Sequence, residues 1–355
     1  MNPLTLLIKP AAGRCNMNCG YCFYRSLSAG RENRIMTRDT VDLLIRRIAA
    51  YRPSALAVMF QGGEPLLAGL DFYRYFIGAV RKNLRVPVSF AMQTNGLLID
   101  DAYAGFFRAN GFLLGVSLDG NRETNDRNRV DNSGSGTFDR VMKSVAVLRR
   151  HKVEFNILSV VDDGNVNEIE ETYRFFKKND FSYIQFIPCV GTRGNAFLAT
   201  ENYGLFLRKT FDLWYEDYAG GDYVSVRHID NYLGILLGSP PESCAMCGVC
   251  GSYFTVEANG DIYPCDFYCD DAHRVGSLHD ETPFEINEKH RAFIEESKII
   301  HERCQSCGYH FLCRGGCKKD RINDDSENRY CKAYKDFFAY AGARMFEIAS
   351  SIKGE

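Results

Sequence analysis

The sequence predicts a mixed α/β protein, a partial (β/α)6 TIM-like barrel followed by a small cysteine-rich domain. Over the first two thirds of the chain, six short apolar runs alternate with stretches of helical periodicity. Each run is bounded by Gly, Pro, Asn or Asp, as buried parallel strands usually are. Beyond about residue 240, cysteines and glycines replace this alternation. Six strand–helix units suit a partial barrel better than a full eightfold one.

The individual elements follow from short-range patterns. The predicted strands are residues 5–9, 56–60, 88–92, 112–118, 154–161 and 183–187. Helical spacing of apolar residues is found at Val41, Leu44, Ile45 and Ile48, and at Val141, Met142, Val145 and Leu148. Thr37 and Asp100 are placed to cap helix starts, and a last helix is predicted over 332–353.

Two domains are expected, residues 1–235 for the partial barrel and 236–355 for the cysteine-rich part with its C-terminal helix. The segment from Cys244 to Cys331 contains ten cysteines and few long apolar stretches. A segment of this kind cannot build a large core and needs metal ions or clusters to hold it together. Residues 191–240 are expected to join the two parts.

Composition limits the possible partners and the compartment. The 355 residues carry a formal net charge of −2, which provides no basic field for a phosphate backbone, so no nucleic-acid partner is expected. No apolar run approaches the roughly 18 residues of a membrane span, and the N-terminus lacks the features of a signal peptide. We therefore expect a cytoplasmic protein with no membrane partner. In that reducing compartment, fourteen cysteines indicate metal ligands or catalytic thiols rather than disulfides.

The first cysteine group is a C-x3-C-x2-C triplet after the first predicted strand, formed by Cys15, Cys19 and Cys22. A 4Fe-4S cluster usually takes four thiolates, so three leave one iron open to a small chelating molecule. The amino and carboxylate groups of S-adenosylmethionine (SAM) suit such an iron. A zinc site or a loop of thiols without metal is the alternative, but zinc sites favour paired C-x2-C or Cys/His sets.

Polar and glycine-rich motifs follow the next three predicted strands. Gly62-Gly63-Glu64-Pro65 follows the second, Thr94-Asn95-Gly96 the third, and Ser117-Leu118-Asp119-Gly120 the fourth. Each alone is ordinary turn chemistry. Their recurrence at the end of a barrel where active sites form favours a nucleotide-like cofactor there.

These residues resemble known families. The triplet, with Tyr21 and the Gly-Gly-Glu-Pro motif, resembles the radical SAM superfamily. The later cysteines resemble the seven-cysteine SPASM extension, and Cys244 supplies an eighth thiol, enough for two cubanes of four thiolates each. Further stretches resemble the anaerobic sulfatase-maturating enzymes, which oxidise a Cys or Ser of a sulfatase to Cα-formylglycine. They are LIKP (7–10), CFY (22–24), FQGGEP (60–65), QTNG (93–96), FDLWYED (211–217) and YPCDFY (263–268).

Carried onto this sequence, the resemblance implies three 4Fe-4S clusters and a set of contact residues. One auxiliary cluster would be held by Cys244, Cys250, Cys265 and Cys317. The other would be held by Cys304, Cys307, Cys313 and Cys331. The implied SAM contacts are Tyr21, Gly63, Ser117, Arg129 and Val190, and the implied substrate contacts are Gln61 and Tyr24. The alternative for this end of the chain is a zinc-binding domain.

The resemblance also places the general base of the family at Asp266. A 5′-deoxyadenosyl radical abstracts a Cβ hydrogen, the base removes the thiol or hydroxyl proton, and an auxiliary cluster accepts one electron. The residues alone are equally consistent with a turn aspartate. The implied partners are an unfolded or nascent sulfatase polypeptide carrying Cys/Ser-x-Pro-x-Arg and an electron donor such as flavodoxin or ferredoxin.

Two other functions remain open at this point. A peptide maturase that crosslinks a ribosomal peptide would keep the chemistry and change the substrate. A non-enzymatic iron–sulfur electron carrier would not cleave SAM, and the open triplet argues against it. Cys189, Cys247 and Cys269 are interpreted as thiols without a ligand role. Solvated or core histidines are expected at His273, His279, His290, His301 and His310.

Overall fold

The computed structural model describes residues 2–28, 34–191, 197–322 and 326–354. The strands are β1 Leu4–Lys9, β2 Leu56–Phe60, β3 Val88–Thr94, β4 Phe112–Ser117, β5 Glu154–Val161, β6 Tyr183–Pro188, β7 Ser225–Val226, β8 Phe254–Glu257, β9 Asp261–Tyr263 and β10 Gly276–Ser277. The helices are α1 Phe23–Ser28, α2 Arg38–Tyr51, α3 Leu70–Asn83, α4 Asp101–Asn110, α5 Arg122–Asn128, α6 Phe138–Arg150, α7 Ile169–Lys178, α8 Thr200–Ala219, α9 Arg227–Leu236, α10 Cys244–Cys247, α11 Glu288–Lys298, α12 His310–Cys313 and α13 Cys331–Lys353.

Helix α2 begins and ends where its sequence predicts. The Thr37 hydroxyl accepts the backbone N–H of Thr40 at 3.2 Å, which satisfies one of the donors left over at a helix start. Arg52 ends the helix in the left-handed conformation, with φ 54°. The predicted apolar face is buried, and it consists of Val41, Leu44, Ile45 and Ile48. The predicted cap and helix face are therefore confirmed.

Helices α4 and α6 are present where capping and spacing predict them. Asp100 caps α4, and its carboxylate accepts the backbone N–H of Tyr103 at 2.9 Å. The predicted helical spacing around residue 141 lies in α6, where Met142 is only partly buried and Ser144 is buried. At 3.6 residues per turn, position 144 shares a face with the other buried residues and position 142 does not. Those residues are Val141, Val145 and Leu148.

The chain forms two compact units. The first comprises the described parts of Met1–Ser117, Asp126–Phe155 and Gly251–Phe293. In it, β1, β2, β3 and β4 are parallel neighbours in that order, and β8 lies parallel to β1 on its other side. Strands β9 and β10 continue from β8 in antiparallel pairs. Because β1 to β4 run in the same direction, their carboxyl ends and the loops that follow lie at one edge of the sheet.

The second unit comprises Leu118–Asn125 and the described parts of Asn156–Cys250 and Ile294–Glu355. Most of β5 lies in it, parallel to β6, which is in turn parallel to β7. Helices α8 and α13 pack through aromatic rings, with the centroids of Phe211 and Phe337 5.9 Å apart. Trp214 is fully buried, and its indole N–H donates to the Val224 carbonyl at 2.9 Å. The stretch 211–217 that resembles a family motif therefore contributes to the core of this unit.

The predicted class is confirmed: the protein is mixed α/β with a parallel sheet, and all six predicted strands are present. Strands β7 to β10 were not predicted, because segments of two to four residues carry no readable periodicity. Each compact unit contains residues from both sides of position 235, and the boundary predicted there stays a prediction. Among the described helices, none is long and apolar enough to cross a membrane.

Candidate active site and cysteine clusters

The predicted cluster-binding triplet lies in the loop after β1. Its members are Cys15, Cys19 and Cys22. A short antiparallel contact holds this loop against residues 128–132, where the Asn18 N–H donates to the Val130 carbonyl at 2.8 Å. The side-chain amide of Asn132 donates to the Cys15 carbonyl at 3.1 Å. The loop is therefore fixed by backbone contacts that do not use the thiols.

The Gly-Gly-Glu-Pro motif supports the same loop from the side of β2. The Gly63 N–H donates to the Ala12 carbonyl at 2.9 Å, and the Glu64 N–H donates to the Arg14 carbonyl at 2.8 Å. A Cβ atom on Gly63 would lie 2.0 Å from the Arg14 oxygen, far inside contact distance. Position 63 therefore requires glycine for the close approach of the two backbones.

Glu64 connects the motifs that follow three neighbouring strands. Its buried carboxylate accepts the Thr94 hydroxyl and the Asn95 N–H, each at 2.8 Å. The Asn95 side-chain amide then reaches the triplet loop, 2.8 Å from Asn16 Oδ1 and 3.8 Å from Cys15 Sγ. Burial raises the pKa of Glu64 to about 7, and the hydrogen bonds from Asn95, Leu66 and Thr94 oppose that rise. The network orders the loop and leaves Glu64 little access to a substrate.

The triplet suits an iron–sulfur cluster by its donor chemistry. Burial raises the pKa of the Cys15 thiol to about 12, and negative charge on Glu64, Cys19 and Cys22 adds to the rise. The Met17 N–H, 3.4 Å from Cys15 Sγ, opposes it. Because the thiolate is the form that binds iron, the positive metal has to stabilise it. Three thiols in one ordered loop fit three corners of a cubane.

The implied SAM contacts are divided between the two units. Gly63, Ser117, Arg129 and Tyr21 belong to the first, and Val190 belongs to the second, just after β6. The Arg129 guanidinium carbon lies 5.5 Å from the centroid of the Tyr21 ring, within range of a cation–π contact. Ser117 is the buried last residue of β4. Within the first unit, Tyr21 belongs to the triplet loop and Arg129 to the segment that holds it. Gly63 follows β2, and Ser117 ends β4.

Asp266, the predicted general base, is buried directly after β9 and Cys265. Its Oδ1 accepts the Tyr253 hydroxyl at 2.8 Å, and its Oδ2 accepts the Gln61 side-chain amide at 3.3 Å. Oδ1 also lies 3.7 Å from Cys265 Sγ. The structure thus brings together the predicted base, one predicted substrate contact and one predicted cluster ligand.

A second site lies within the second unit, where one cavity is lined by the four predicted ligands. These are Cys304, Cys307, Cys313 and Cys331. Burial raises the pKa values of Cys304, Cys313 and Cys331, and the positive charge of Lys335 opposes this at Cys304 and Cys331. Arg303, Lys335 and Glu327 also line the cavity, and Glu327 pairs with Arg303 at 3.7 Å, so Lys335 is the cation best placed to offset thiolate charge. Four thiols around one cavity fit a fully ligated cubane.

Three of the other four predicted ligands are neighbours in the second unit. Burial raises the pKa of Cys317, and charge on Cys244 and Cys250 raises it further. Arg321 ties their loops together, because its guanidinium donates to the Gly248 carbonyl at 2.9 Å and to the Gly316 carbonyl at 3.3 Å. The fourth predicted ligand, Cys265, belongs to the first unit.

The arrangement of ligands bears on the kind of metal group. Among the described residues, no three His, Cys, Asp or Glu side chains converge closely enough to hold a single ion. A cubane does not need that convergence, because each thiolate binds a different iron.

Some cysteine and histidine residues for which the sequence predicts no ligand role lie beside the candidate sites. Cys269 is fully buried with Tyr24 and Tyr263, against the triplet residue Cys22. His301 and His310, interpreted from sequence as solvated or core residues, line the cavity of the four cysteines. Their spacing from the cysteines gave no signal of this.

Sequence reasoning did not single out Tyr253 or Glu257, and it quoted Lys9 only as part of the first predicted strand and the LIKP stretch. Tyr253 contacts Asp266, and the other two surround Tyr24. A charged residue that ends an apolar predicted strand is the signal that could have found Lys9. Glu257 gave no such signal, because β8 was not predicted.

Comparison with known families agrees with this geometry. The profile of the radical SAM superfamily matches residues 10–176, and that of an iron–sulfur cluster-binding domain, SPASM, matches residues 244–308. Fold and site together define a radical SAM enzyme that carries a SPASM domain.

Relatives that match over nearly their full length show which family of radical SAM enzymes the chain belongs to. The chain is 41% identical to a cysteine-type anaerobic sulfatase-maturating enzyme of Clostridium perfringens, over 99% of this chain and 100% of the relative. It is 29% identical to a serine-type enzyme of Bacteroides thetaiotaomicron, over 97% of this chain and 90% of the relative. The chain belongs to the anaerobic sulfatase-maturating enzyme family.

Solved structures place the fold in the same family. The structure of native anSMEcpe with bound AdoMet and Cp18Cys peptide superimposes with a TM-score of 0.93 at 38% identity, over 99% of each chain. SuiB of Streptococcus suis bound to its precursor peptide SuiA gives a TM-score of 0.64 at 18% identity, over 92% of this chain and 75% of SuiB. The likeness to SuiB is one of fold alone.

Proposed function

We propose that this enzyme oxidises a cysteine in a Cys-x-Pro-x-Arg segment of a sulfatase to Cα-formylglycine. The observation that carries the proposal is the buried Asp266 carboxylate, held by Tyr253 and Gln61 directly after the predicted cluster ligand Cys265. Cysteine is favoured over serine because cysteine-type relatives are 38–41% identical and serine-type relatives 29–31%. Serine in the same position is the second substrate of the proposal.

The proposed cofactors are SAM and three 4Fe-4S clusters. Cys15, Cys19 and Cys22 would hold the first cluster and leave one iron for SAM. The cavity ligands Cys304, Cys307, Cys313 and Cys331 would hold a second, and the third would take Cys244, Cys250, Cys265 and Cys317. When bound, these groups supply a 5′-deoxyadenosyl radical that removes a Cβ hydrogen and an acceptor for one electron.

The chain's own residues orient the peptide and move its proton. Asp266 takes the thiol proton of the substrate cysteine, since a carboxylate within hydrogen-bond reach is a competent base. The amide of Gln61, which donates to Asp266 Oδ2, fixes the direction in which the carboxylate faces. Tyr24, buried at the start of α1, is the second proposed substrate contact. Loss of a hydrogen atom, a proton and an electron leaves a thioaldehyde, which water converts to the aldehyde with release of hydrogen sulfide.

The proposed partners are a nascent or unfolded sulfatase and a small electron donor such as flavodoxin or ferredoxin. The substrate has to be unfolded, because its cysteine must reach a carboxylate that is itself buried. The donor would supply the electron that the SAM chemistry requires.

The test is anaerobic incubation of the reconstituted enzyme with SAM, dithionite and synthetic peptides, followed by mass spectrometry. The three peptides differ only in the first residue of the motif and carry Cys-x-Pro-x-Arg, Ser-x-Pro-x-Arg or Ala-x-Pro-x-Arg. We expect the Cys peptide to gain an aldehyde that reacts with a hydrazine probe, and the Ala peptide to remain unchanged. Cleavage of SAM with no aldehyde in either the Cys or the Ser peptide would contradict the proposal, and a crosslinked product would favour a peptide maturase.

A further inference from the structure

Lys9, the last residue of β1, is fully buried. Among the described residues, its Nζ has no hydrogen-bond partner. A buried ammonium that donates no hydrogen bond is costly, so such a residue is retained only where another interaction or a role compensates. Its position is at the carboxyl end of a sheet strand, directly before the loop that carries the cysteine triplet.

Lys9 has an aromatic neighbour and an acidic register partner. The ring of Tyr24 lies with its centroid 3.4 Å from Nζ, a short cation–π contact. Glu257, buried on β8, is the register partner of Lys9, so the two side chains lie on the same face of neighbouring parallel strands. The Tyr24 hydroxyl donates to Glu257 Oε1. Cation and carboxylate thus hold Tyr24 at two points, its ring face and its hydroxyl.

The stem of Lys9 also supports the loop after β2. A Cβ atom on Gly62 would lie 3.2 Å from Lys9 Cβ and 3.3 Å from its Cγ, so the Gly62 backbone packs directly on the stem. Gly62 adopts φ +132°, which favours glycine. The preceding residue, Gln61, donates to Asp266. Lys9 therefore contacts the segments that present both proposed substrate contacts, Tyr24 and Gln61.

We propose that Lys9 is a positioning residue that fixes Tyr24 in the orientation that receives the substrate peptide. The assignment rests on the proposed function, because it takes Tyr24 as a substrate contact. Lys9 itself is too deeply buried to touch the peptide, so its effect acts through the tyrosine. Its removal should weaken peptide binding while leaving the clusters and SAM chemistry in place.

The test compares variants of the reconstituted enzyme. Lys9→Met removes the charge and keeps the length of the stem, and Lys9→Arg keeps a cation that can face an aromatic ring. We expect Lys9→Met to retain iron and peptide-independent SAM cleavage within about twofold, and to raise KM for the Cys peptide about tenfold. Lys9→Arg should keep KM close to the wild-type value. Lys177→Met, which removes a lysine paired with Asp217 and Asp222 in the second unit, should leave KM unchanged.

A double-mutant cycle separates positioning from general stability. If Lys9 acts through the tyrosine, then Lys9→Met combined with Tyr24→Phe raises KM by less than the product of the two single factors. If Lys9→Met fails to retain iron, the charge-neutral pair Lys9→Met/Glu257→Gln carries the same test, since it leaves no uncompensated carboxylate.

The two hypotheses fail in different ways. If the wild type is active and Lys9→Met leaves KM unchanged, the positioning role alone is overturned. The same follows if the KM factor of the double variant equals the product of the two single factors. A wild type that makes no aldehyde overturns the proposed function, and the role of Lys9 with it.

Discussion

Asp266 is buried, yet its two oxygens are not equivalent. Oδ1 accepts the Tyr253 hydroxyl at 2.8 Å, whereas the amide of Gln61 approaches Oδ2 only at 3.3 Å. The shorter bond anchors one oxygen, and the more weakly held Oδ2 is the better candidate to accept a substrate proton. A base of this kind is oriented by its neighbours before the substrate arrives.

Asp266→Asn tests that role, because the amide keeps the size of the side chain and cannot take the proton. We expect the variant to keep its iron and to cleave SAM in the presence of peptide, with formylglycine lowered by at least about 100-fold. Mass spectrometry of the peptide and chromatography of 5′-deoxyadenosine give the two readings. Asp261→Asn, in the preceding strand and paired with Arg274, is the matched control and should leave the product unchanged. Normal formylglycine from Asp266→Asn would remove this residue from the mechanism.

His228 in α9 predicts a pH dependence of stability. Its Nε2 is buried without a hydrogen-bond partner among the described residues, and burial lowers its pKa from 6.5 to about 4. A lowered pKa means that the contribution of His228 to stability is present above pH 6.5 and is lost as the pH falls towards 4. From about pH 7.5 to about pH 5, that loss is about 2 kcal/mol.

His228→Phe should remove this part of the pH dependence, since a phenyl ring takes up no proton and can still pack on Phe206, 5.4 Å away in ring centroids. The measurement is the midpoint of thermal unfolding of the protein reconstituted with iron and sulfide, at about pH 7.5 and about pH 5 under anaerobic conditions. Equal drops in wild type and variant would show that His228 does not titrate in this range.

At the residue scale, the candidate site residues that belong to short motifs could be predicted from the sequence. Asp266 follows a cysteine in YPCDFY, and the triplet is visible from its spacing alone. The pairing of Lys9 with Glu257 across two strands and the hydrogen bond of Gln61 to Asp266 join residues far apart in the chain, so no local pattern could reveal them. Only the pairing of β1 with β8 brings the first pair together.

At the scale of elements, the site depends on the loops that leave β1, β2 and β3. Backbone bonds join the Gly63–Glu64 segment to Ala12 and Arg14, and the Glu64 carboxylate joins it to Thr94 and Asn95. The triplet loop is thus held by neighbouring strand ends as well as by residues 128–132.

Gly63→Ala tests that arrangement. Its Cβ would lie 2.0 Å from the Arg14 oxygen, so the backbone before Cys15 has to move. We expect about eight irons per chain instead of about twelve, with loss of SAM cleavage. Gly105→Ala is the matched control, because its Cβ in the middle of α4 meets nothing within 4 Å. It should keep all the iron and stabilise the fold by about 0.5–1 kcal/mol. Full iron in Gly63→Ala would mean that the close approach is not needed.

Long elements were predictable and short ones were not. The six strands of five to eight residues and the capped helices α2 and α4 carry clear periodic and capping signals. Strand β8 has four residues and lies in the cysteine-rich part, where glycine and cysteine hide the pattern. Its pairing with β1 depends on tertiary contacts.

At the scale of the whole molecule, the two proposed auxiliary ligand sets interleave along the chain. Cys317 of one set lies between Cys313 and Cys331 of the other, and Arg321, just beyond Cys317, ties two loops of its own set. Loss of one cluster should therefore loosen the ligands of the other. If both clusters bind as proposed, the stability of this part of the chain should depend on metal binding as well as on its core.

The most direct test of the account is the iron and sulfide content of the anaerobically reconstituted protein. Three thiolate sites predict about twelve irons per chain, four for each cubane. Alanine at Cys15, Cys19 and Cys22 together should leave about eight. Cys247→Ala, outside the proposed sets, should leave the content unchanged. A protein that holds zinc in place of iron, or that keeps the full iron content without the triplet, would contradict the account.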